Sequence, residues 1–558
     1  MSEFSKDGVY FWPLGGADDI GMNMYVYATG GRMIVVDAGY GFLNDSYPGM
    51  DLCYADPSGL KEYKDKIDGI FITHAHEDHF GAIAHLIKTV NKPIYASKFT
   101  LCLIKDRLAE YGLDKEVELV ELKDTEVVEF ETISVEAVSL VHSVPETLGL
   151  FIRTKFGNVF HATDWRFDDG KVEYLQTDYP ELQKIAQEGV DMFVCDSTNV
   201  LQNEKLPTEY EVRQSLKEII KSLKDTVVVT CFASNLMRLE SLIVAADLAE
   251  RTPVLVGRSL VSNMKYARQC GYFEGLPETF DINQAADIPS DKALYICTGS
   301  QANYRSALTL IANNESKAVK LDKGDTIIFS SKIIPGNEEK IERMQEKFMD
   351  MGVNVIIDED YLVHTSGHPT KYDLKHMYEL LKPKILFPVH GDKRFIRAHK
   401  KFALECGIGQ VQSALCGDVY LLANGKIEYV GTEFSDIMGV DRKKSVSLTS
   451  QLIKNRRRIA YNCSVFISVV FDAKLNLEDL QISSIDILEE NEFSELVAKI
   501  KEDVTKEYAA RAGEWKEINN SLQDFIKAQV RKRIFSATGI KPVVFFHYYQ
   551  EKGDENVL

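Results

Sequence analysis

Around Tyr25 to Ala38 (MYVYATGGRMIVVDAG) the apolar residues fall into two short runs separated by Gly30-Gly31, which predicts two strands joined by a turn. Similar short runs alternate with amphipathic helical spacing to about residue 200, an α/β rhythm. After Leu206-Pro-Thr a helix (EVRQSLKEIIKSLKD) opens a new stretch, in which VVVTCFAS, TPVLVGR, ALYICTGS and DTIIFSS read as strands and LESLIVAADLAE as a helix. Such unbroken apolar runs suit a parallel sheet of its own, covered on both faces. Near Val355 the chain returns to a histidine-rich strand end, a helix (KYDLKHMYELLK), a strand (ILFPVHGD) and a hairpin turning at Asn424-Gly425. The polar stretch SDIMGVDRKKSVSLTS reads as a linker, and Arg456 onward as a small strand-and-helix domain.

A chain of 558 residues exceeds what one core supports, so two to four domains are expected. No run of 18 apolar residues occurs, and the N-terminal MSEFSKDGVYFWPLGG lacks a basic stretch followed by an apolar one. Neither a membrane span nor secretion is therefore expected. Nine cysteines without a C-x-x-C pair read as reduced thiols of a cytoplasmic protein. The net charge of −19 argues against indiscriminate affinity for nucleic acid. It leaves room for a local basic groove, or for a site whose metals carry the positive charge.

The chemistry concentrates in FITHAHEDHFGAI, residues 71–83. GIFIT is a strand and AIAHLIKTV a helix, so the histidines lie on the loop at a strand's carboxyl end, where α/β sheets place their ligands. A lone H-x-H is more often a solvated polar loop, but H-x-H-x-D-H reverses that balance. Candidates recur at other strand ends: His142 after VEAVSL, Asp164 after VFHAT and His390 after ILFPV. The spacing reads as His74, His76 and His142 on one metal and Asp78, His79 and His390 on another, with Asp164 bridging. Two divalent ions, Zn²⁺ or Mn²⁺ by the imidazole and carboxylate donors, would activate a shared water and clamp a phosphoryl group. His85 fits a helix face and His161 a strand, and both take the structural reading.

The order H-x-H-x-D-H, distant His, Asp, distant His resembles the metallo-β-lactamase superfamily. LGGADDIGMN (14–23), DSTN (196–199), FASN (232–235), TGSQ (298–301), FSSKIIPGNE (329–338), HTSGH (364–368) and PVHGD (388–392) narrow the resemblance to the ribonuclease J group of β-CASP nucleases. It implies an α/β chain: a metallo-β-lactamase αββα sandwich in two parts (1–201 and 356–432) with a β-CASP α/β domain inserted at 202–355. A linker (433–455) and a small α+β C-terminal domain (456–558) would follow. The implied activity is hydrolysis of RNA phosphodiesters, 5′-to-3′ exonucleolytic and also endonucleolytic, in RNA processing and decay. The implied partners are single-stranded, 5′-monophosphorylated RNA and further copies of the chain as a dimer or tetramer, with no membrane.

By the same resemblance His368 is a general acid held by Asp196, and Asp78 counts as catalytic as well as a ligand. Ser234, Asn235, His364 and Ser366 are the residues implied to hold RNA phosphates. Phe232 could stack on a base but reads as core, and Arg456–Arg458 and Arg531–Arg533 either touch RNA or solvate a surface. The chain departs from the group at Asp18-Asp19, at Asp392 where Glu is usual, and at Ala302-Asn-Tyr-Arg where Gly-Glu-Pro usually follows TGSQ. Two rival classes share part of the pattern. A DNA-directed β-CASP nuclease tends to replace the last histidine, which is His390 here, and a small-molecule metallohydrolase would need neither the insertion nor HTSGH.

Overall fold

The computed structural model describes residues 4, 7–169, 172, 177–334, 336–485 and 487–551, without the side chain of residue 512. Pro335 of the 329–338 motif lies outside them. Two compact units emerge: Met1–Phe42 with Cys53–Met438, and Leu43–Leu52 with Gly439–Leu558.

In the first unit an eight-stranded sheet runs in the spatial order Lys426–Thr432, Asp418–Ala423, Val9–Gly15, Met24–Thr29, Arg32–Val36, Ile67–Phe71, Ile94–Ala96, Leu119–Glu121. A seven-stranded sheet runs Gln410–Val411, Ile385–Val389, Met192–Asp196, Val159–Ala162, Thr147–Thr154, Ile133–Leu140, Val127–Glu129. Strand alternation builds the layers. Val9 and Phe11 face the second sheet's Val135, Leu150, Val194 and Phe387, while Tyr10 and Trp12 share the opposite core with Ile83, Leu86, Ile104 and Leu108. On the far side Phe160, Phe193 and Leu386 pack with Leu182, Leu374, Met377 and Ala403. The result is the αββα sandwich the resemblance implied.

Between the strands Met192–Asp196 and Ile385–Val389, which pair in parallel, the chain leaves to build a six-stranded sheet. Its order is Phe280–Asp281, Thr252–Val256, Ala293–Cys297, Val227–Thr230, Thr326–Phe329, Asn354–Ile356, parallel throughout. Val227 and Val229 face one core and Val228 the other, which explains why these strands read as continuous apolar runs. The first of these cores also contains Ala75, Val141 and Val144, neighbours in sequence of His74, His76 and His142. The inserted lobe is thus packed onto the histidine loops themselves.

Two local expectations change. The helix foreseen after Gly81 is present, shortened to Ile83–Ile87, but the loop before it contains a helical turn of its own, Glu77–Phe80, so His79 lies within that turn. The stretch foreseen as a linker forms strands Ile437–Asp441 and Lys444–Ser447, and the helix Gln451–Asn462 contains Arg456. Strands of five and four residues are too short for a clear period-2 pattern to announce them. In the second unit Leu477–Ile485, Ser464–Phe471 and Val543–Gln550 form a sheet whose Val465, Ile467 and Val469 pack with Ile500, Val504, Ile526 and Val530 of two helices. No disulfide joins the described cysteines, and no helix of the described residues is long and apolar enough to cross a membrane.

Candidate active site

Parallel pairing aligns the strand ends. Ala162 stands beside Cys195 and Asp196 beside Val389, so Asp164, Asp196 and His390 leave the sheet at one edge. The opposite sheet brings its own edge: Val36 pairs with Phe71, and the next residue, Asp37, turns with φ 63°. Its Oδ1 accepts from the Thr73 amide at 2.8 Å and its Oδ2 from His79 Nδ1 at 2.8 Å. That bond fixes the His79 tautomer and leaves Nε2 for the site. Gly39 is required beside it, since a Cβ there would stand 1.6 Å from the Asp78 carbonyl.

The sequence-assigned ligands come together in two groups. His74 Nε2 and His142 Nε2 each lie 3.1 Å from His76 Nδ1, with Asp164 Oδ2 3.7 and 3.5 Å from the first two. On the other side His79 Nε2 is 3.2 Å from Asp164 Oδ1, and His390 Nε2 is 3.1 Å from Asp78 Oδ2 and 3.6 Å from Asp164 Oδ1. Asp164 therefore turns one oxygen to each group. Its Oδ1 is buried without a hydrogen-bond partner, a costly state that a cation between these donors relieves. The donor set, imidazole and carboxylate without thiolate, fits divalent metal.

The two groups differ electrically. Burial holds the His76 imidazole down at about 4 and His142 at about 3, and, helped by His79, keeps His74 well below its ordinary value. These three are neutral and ready to ligate. Burial also pulls on His79 and His390, but Asp164 with Asp78 and Asp37 raises His79 to about 10, and Asp164 with Asp196 and Asp78 raises His390 well above the usual range.

Asp196 and His368 form a third constellation with Asp164 and His390. His368 Nδ1 donates to Asp196 Oδ2 at 2.7 Å, which leaves Nε2 outside that bond. Burial opposes ionisation of Asp196, yet His368 and His390 lower its pKa to about 2. The four residues implied for phosphate are less uniform. Asn235 and Ser366 line one small cavity, together with His142, Ser143 and Arg166. Ser234 and His364 lie outside its lining. Asn235 caps the helix Leu236–Leu248 by accepting from the Arg238 amide. Buried His364 has Nδ1 3.5 Å from Arg238 Nη1, and burial and that cation push its pKa down. Phe232 is half-buried.

The residues read as structural stand apart from the ligand groups. His85 Nε2 meets Tyr40 Oη at 3.1 Å and its ring stacks on Tyr54, and His161 Nδ1 meets Tyr27 Oη at 2.8 Å. Glu77 bonds Arg107. Arg456 pairs with Asp441, and Arg533 with Asp503 and Glu507, so these cations serve their own unit. Asp392, the shorter acid, caps the helix Lys393–Glu405 by accepting from the Arg394 and Phe395 amides.

Sequence reading missed the residues that hold the ligands. Asp37 closes the apolar strand RMIVV, and an acid in that position was the available signal. Thr198 Oγ1 lies 2.9 Å from His390 Nδ1, and Asn23 Nδ2 3.1 Å from His79 Nε2. Arg166 reaches Thr365 Oγ1, the Ser366 carbonyl, Asp168 and the Pro207 carbonyl, and nothing in its local sequence announces that.

Comparison with known proteins agrees with this geometry. A family described as "Beta-lactamase superfamily domain" matches residues 32–187, "Ribonuclease J, beta-CASP domain" residues 224–348, and "Zn-dependent metallo-hydrolase RNA specificity domain" residues 352–408. Ribonuclease J of Sinorhizobium meliloti is 35% identical over 546 residues, covering 96% of each chain. That of Helicobacter pylori is 31% identical over 559 residues, 98% of this chain and 80% of the relative. That of Mycolicibacterium smegmatis is 36% identical over 404 residues, 72% of each. A crystal structure of a protein of unknown function from Enterococcus faecalis V583 shares the fold, with a TM-score of 0.52 at 17% identity, covering 75% of this chain and all of that one.

Proposed function

The chain belongs to the ribonuclease J family and is a metal-dependent, RNA-binding ribonuclease, and on that premise we propose that it hydrolyses single-stranded RNA by two-metal catalysis. It acts on 5′-monophosphorylated RNA in the 5′-to-3′ direction and also cleaves internally, in the cytoplasm, as a dimer or tetramer. The observation that carries the two-metal reading is Asp164, whose two oxygens face two separate ligand groups beside the Asp196–His368 pair.

Bound divalent ions, Zn²⁺ or Mn²⁺, supply acidity to the attacking water and neutralise charge that builds on the phosphoryl oxygens. The chain's residues supply position and protons. Asp37 and Thr198 keep His79 and His390 turned inward through their Nδ1 atoms. Asp78, 3.1 Å from His390, orients the incoming water. His368, held by Asp196, protonates the leaving oxygen of the cleaved ester. Ser234, Asn235, His364 and Ser366 hold the phosphates upstream of the cut, the positioning that a polyanion needs before it reacts.

The test is incubation with 5′-monophosphorylated RNA, 5′-hydroxyl RNA, matching DNA and a lactone, with Mn²⁺ or Zn²⁺ and with chelator. Release of mononucleotides from the 5′ end of the monophosphorylated RNA, abolished by chelator, is expected. Cleavage of DNA but not RNA, or indifference to chelator, overturns the reading. Light scattering on the same sample reads the copy number.

A further inference from the structure

The loop that carries His368 is held by three consecutive carbonyls, each accepting from a different side chain. Ser366 O accepts from Arg166 Nη1 at 2.8 Å, Gly367 O from His142 Nδ1 at 2.7 Å and His368 O from Asn199 Nδ2 at 3.0 Å. Glycine is needed in the middle, because a Cβ at 367 would stand 2.6 Å from the His142 ring. Asn199 does the most. Its Nδ2 also donates to Ser366 Oγ at 2.8 Å, so one amide group grips both ends of the Ser366–His368 segment, and the residue is only 1% exposed.

The other end of the same carboxamide leaves the sandwich. Asn199 Oδ1 accepts from Lys332 Nζ at 2.8 Å, and Lys332 follows the strand Thr326–Phe329 of the inserted sheet. Although Lys332 is exposed, its backbone is fixed. Gln301 Nε2 donates to the Lys332 carbonyl at 2.8 Å, and Gln301 Oε1 accepts from the Ile334 amide at 2.9 Å. A carboxamide is planar and rigid, so a shift of its Oδ1 partner is felt by both Nδ2 donors.

We propose that Asn199 is the positioning residue for His368 and that Lys332 is its anchor in the inserted lobe, so that seating of that lobe sets the reach of the His368 ring. The proposal deepens the reading of His368 as proton donor and rests on it. A misplacement of about 1 Å costs on the order of 10²-fold in rate, whereas one hydrogen bond from a solvent-exposed residue is worth about a 3- to 10-fold effect.

The experiment compares the full-length enzyme with Asn199→Ala, Lys332→Met, Lys332→Arg and the Asn199→Ala/Lys332→Met double variant on 5′-monophosphorylated RNA. Asn199→Ala is expected to lower kcat by about 10²-fold with KM within about threefold and metal content unchanged. Lys332→Met is expected to lower kcat by about 3- to 10-fold, to add nothing in the Asn199→Ala background, and to be rescued in Lys332→Arg. Hydrogen exchange at the Ser366–His368 amides should quicken in Asn199→Ala and in Lys332→Met but not in Lys332→Arg, a readout that needs no catalysis and that stands even if Asn199→Ala folds poorly, since Lys332 is exposed. His368→Ala in the same assay tests the parent reading: should it keep its kcat, the proton-donor role falls, while the exchange rates still decide whether Asn199 holds the loop. Unchanged kcat and exchange in Asn199→Ala, a rise in KM alone, or strictly additive effects of the two substitutions overturns the proposal.

Discussion

Two sets of strand ends face the chemistry, and they are built on opposite electrostatic plans. At the sandwich edge, histidines and carboxylates crowd together with mainly one another for partners, down to the orphaned Asp164 Oδ1. At the inserted lobe the charge is already settled: Arg238, fully buried, pairs with Glu209 through Nε and Nη2 and donates from Nη1 to Ser330 Oγ and the Val363 carbonyl. The first edge is a donor set that fits divalent metal. The second is complete by itself and presents hydroxyls, amides and a helix cap, groups suited to a phosphate backbone that brings its own charge.

This contrast can be broken from either side. The largest effect is expected for His76→Ala, which removes a ligand from the neutral group: cleavage should fall to the chelator-treated background and metal content drop by mass spectrometry, with the circular dichroism spectrum retained. Near-normal turnover would show that the edge does not depend on this ligand. His368→Ala should keep its metal while kcat falls roughly 10²–10⁴-fold, and metal loss there would make His368 a ligand instead. On the self-sufficient side, Arg238→Ala leaves Glu209 buried and unpaired, and chemical denaturation should read a loss of roughly 3–5 kcal/mol. A loss below about 1 kcal/mol would mean that the lobe does not depend on its internal ion pair.

Smaller changes sharpen the comparison. Ser234→Ala should raise KM for 5′-monophosphorylated RNA about fivefold, the scale of one hydrogen bond, and leave 5′-hydroxyl RNA unaffected; equal effects on both would remove Ser234 from the 5′-phosphate. Ala302 occupies a left-handed backbone position at φ 53°, which glycine adopts without a Cβ penalty. Ala302→Gly should therefore gain about 1 kcal/mol of stability, read as a higher urea midpoint with unchanged kcat.

The legibility of the two edges differs for the same reason. His74, His76, Asp78 and His79 lie within six residues, and the local crowding is itself the signal. His142, Asp164 and His390 could be added because each follows an apolar strand, and strand ends are visible in the hydrophobic pattern. Asn199 and Arg166 could not be assigned that way. Their partners, Ser366, His368 and Thr365, lie more than 160 residues further along the chain, and an asparagine or arginine beside an acid looks like any solvated loop. The short strands Ile437–Asp441 and Lys444–Ser447 escaped notice because five and four residues set among polar neighbours are too few to show a clear alternation.

What the sequence determined alone is most of the longer elements and the donors at their ends, since side-chain period and apolar runs are local properties of the chain. What only the tertiary structure decided is how those donors are held: that Asp37 sets the His79 tautomer, that Thr198 stands against His390 Nδ1, and that one asparagine joins the His368 loop to the inserted lobe. The physical reason is that hydrogen bonding and charge coupling act over about 3 Å of space and take no account of distance along the chain.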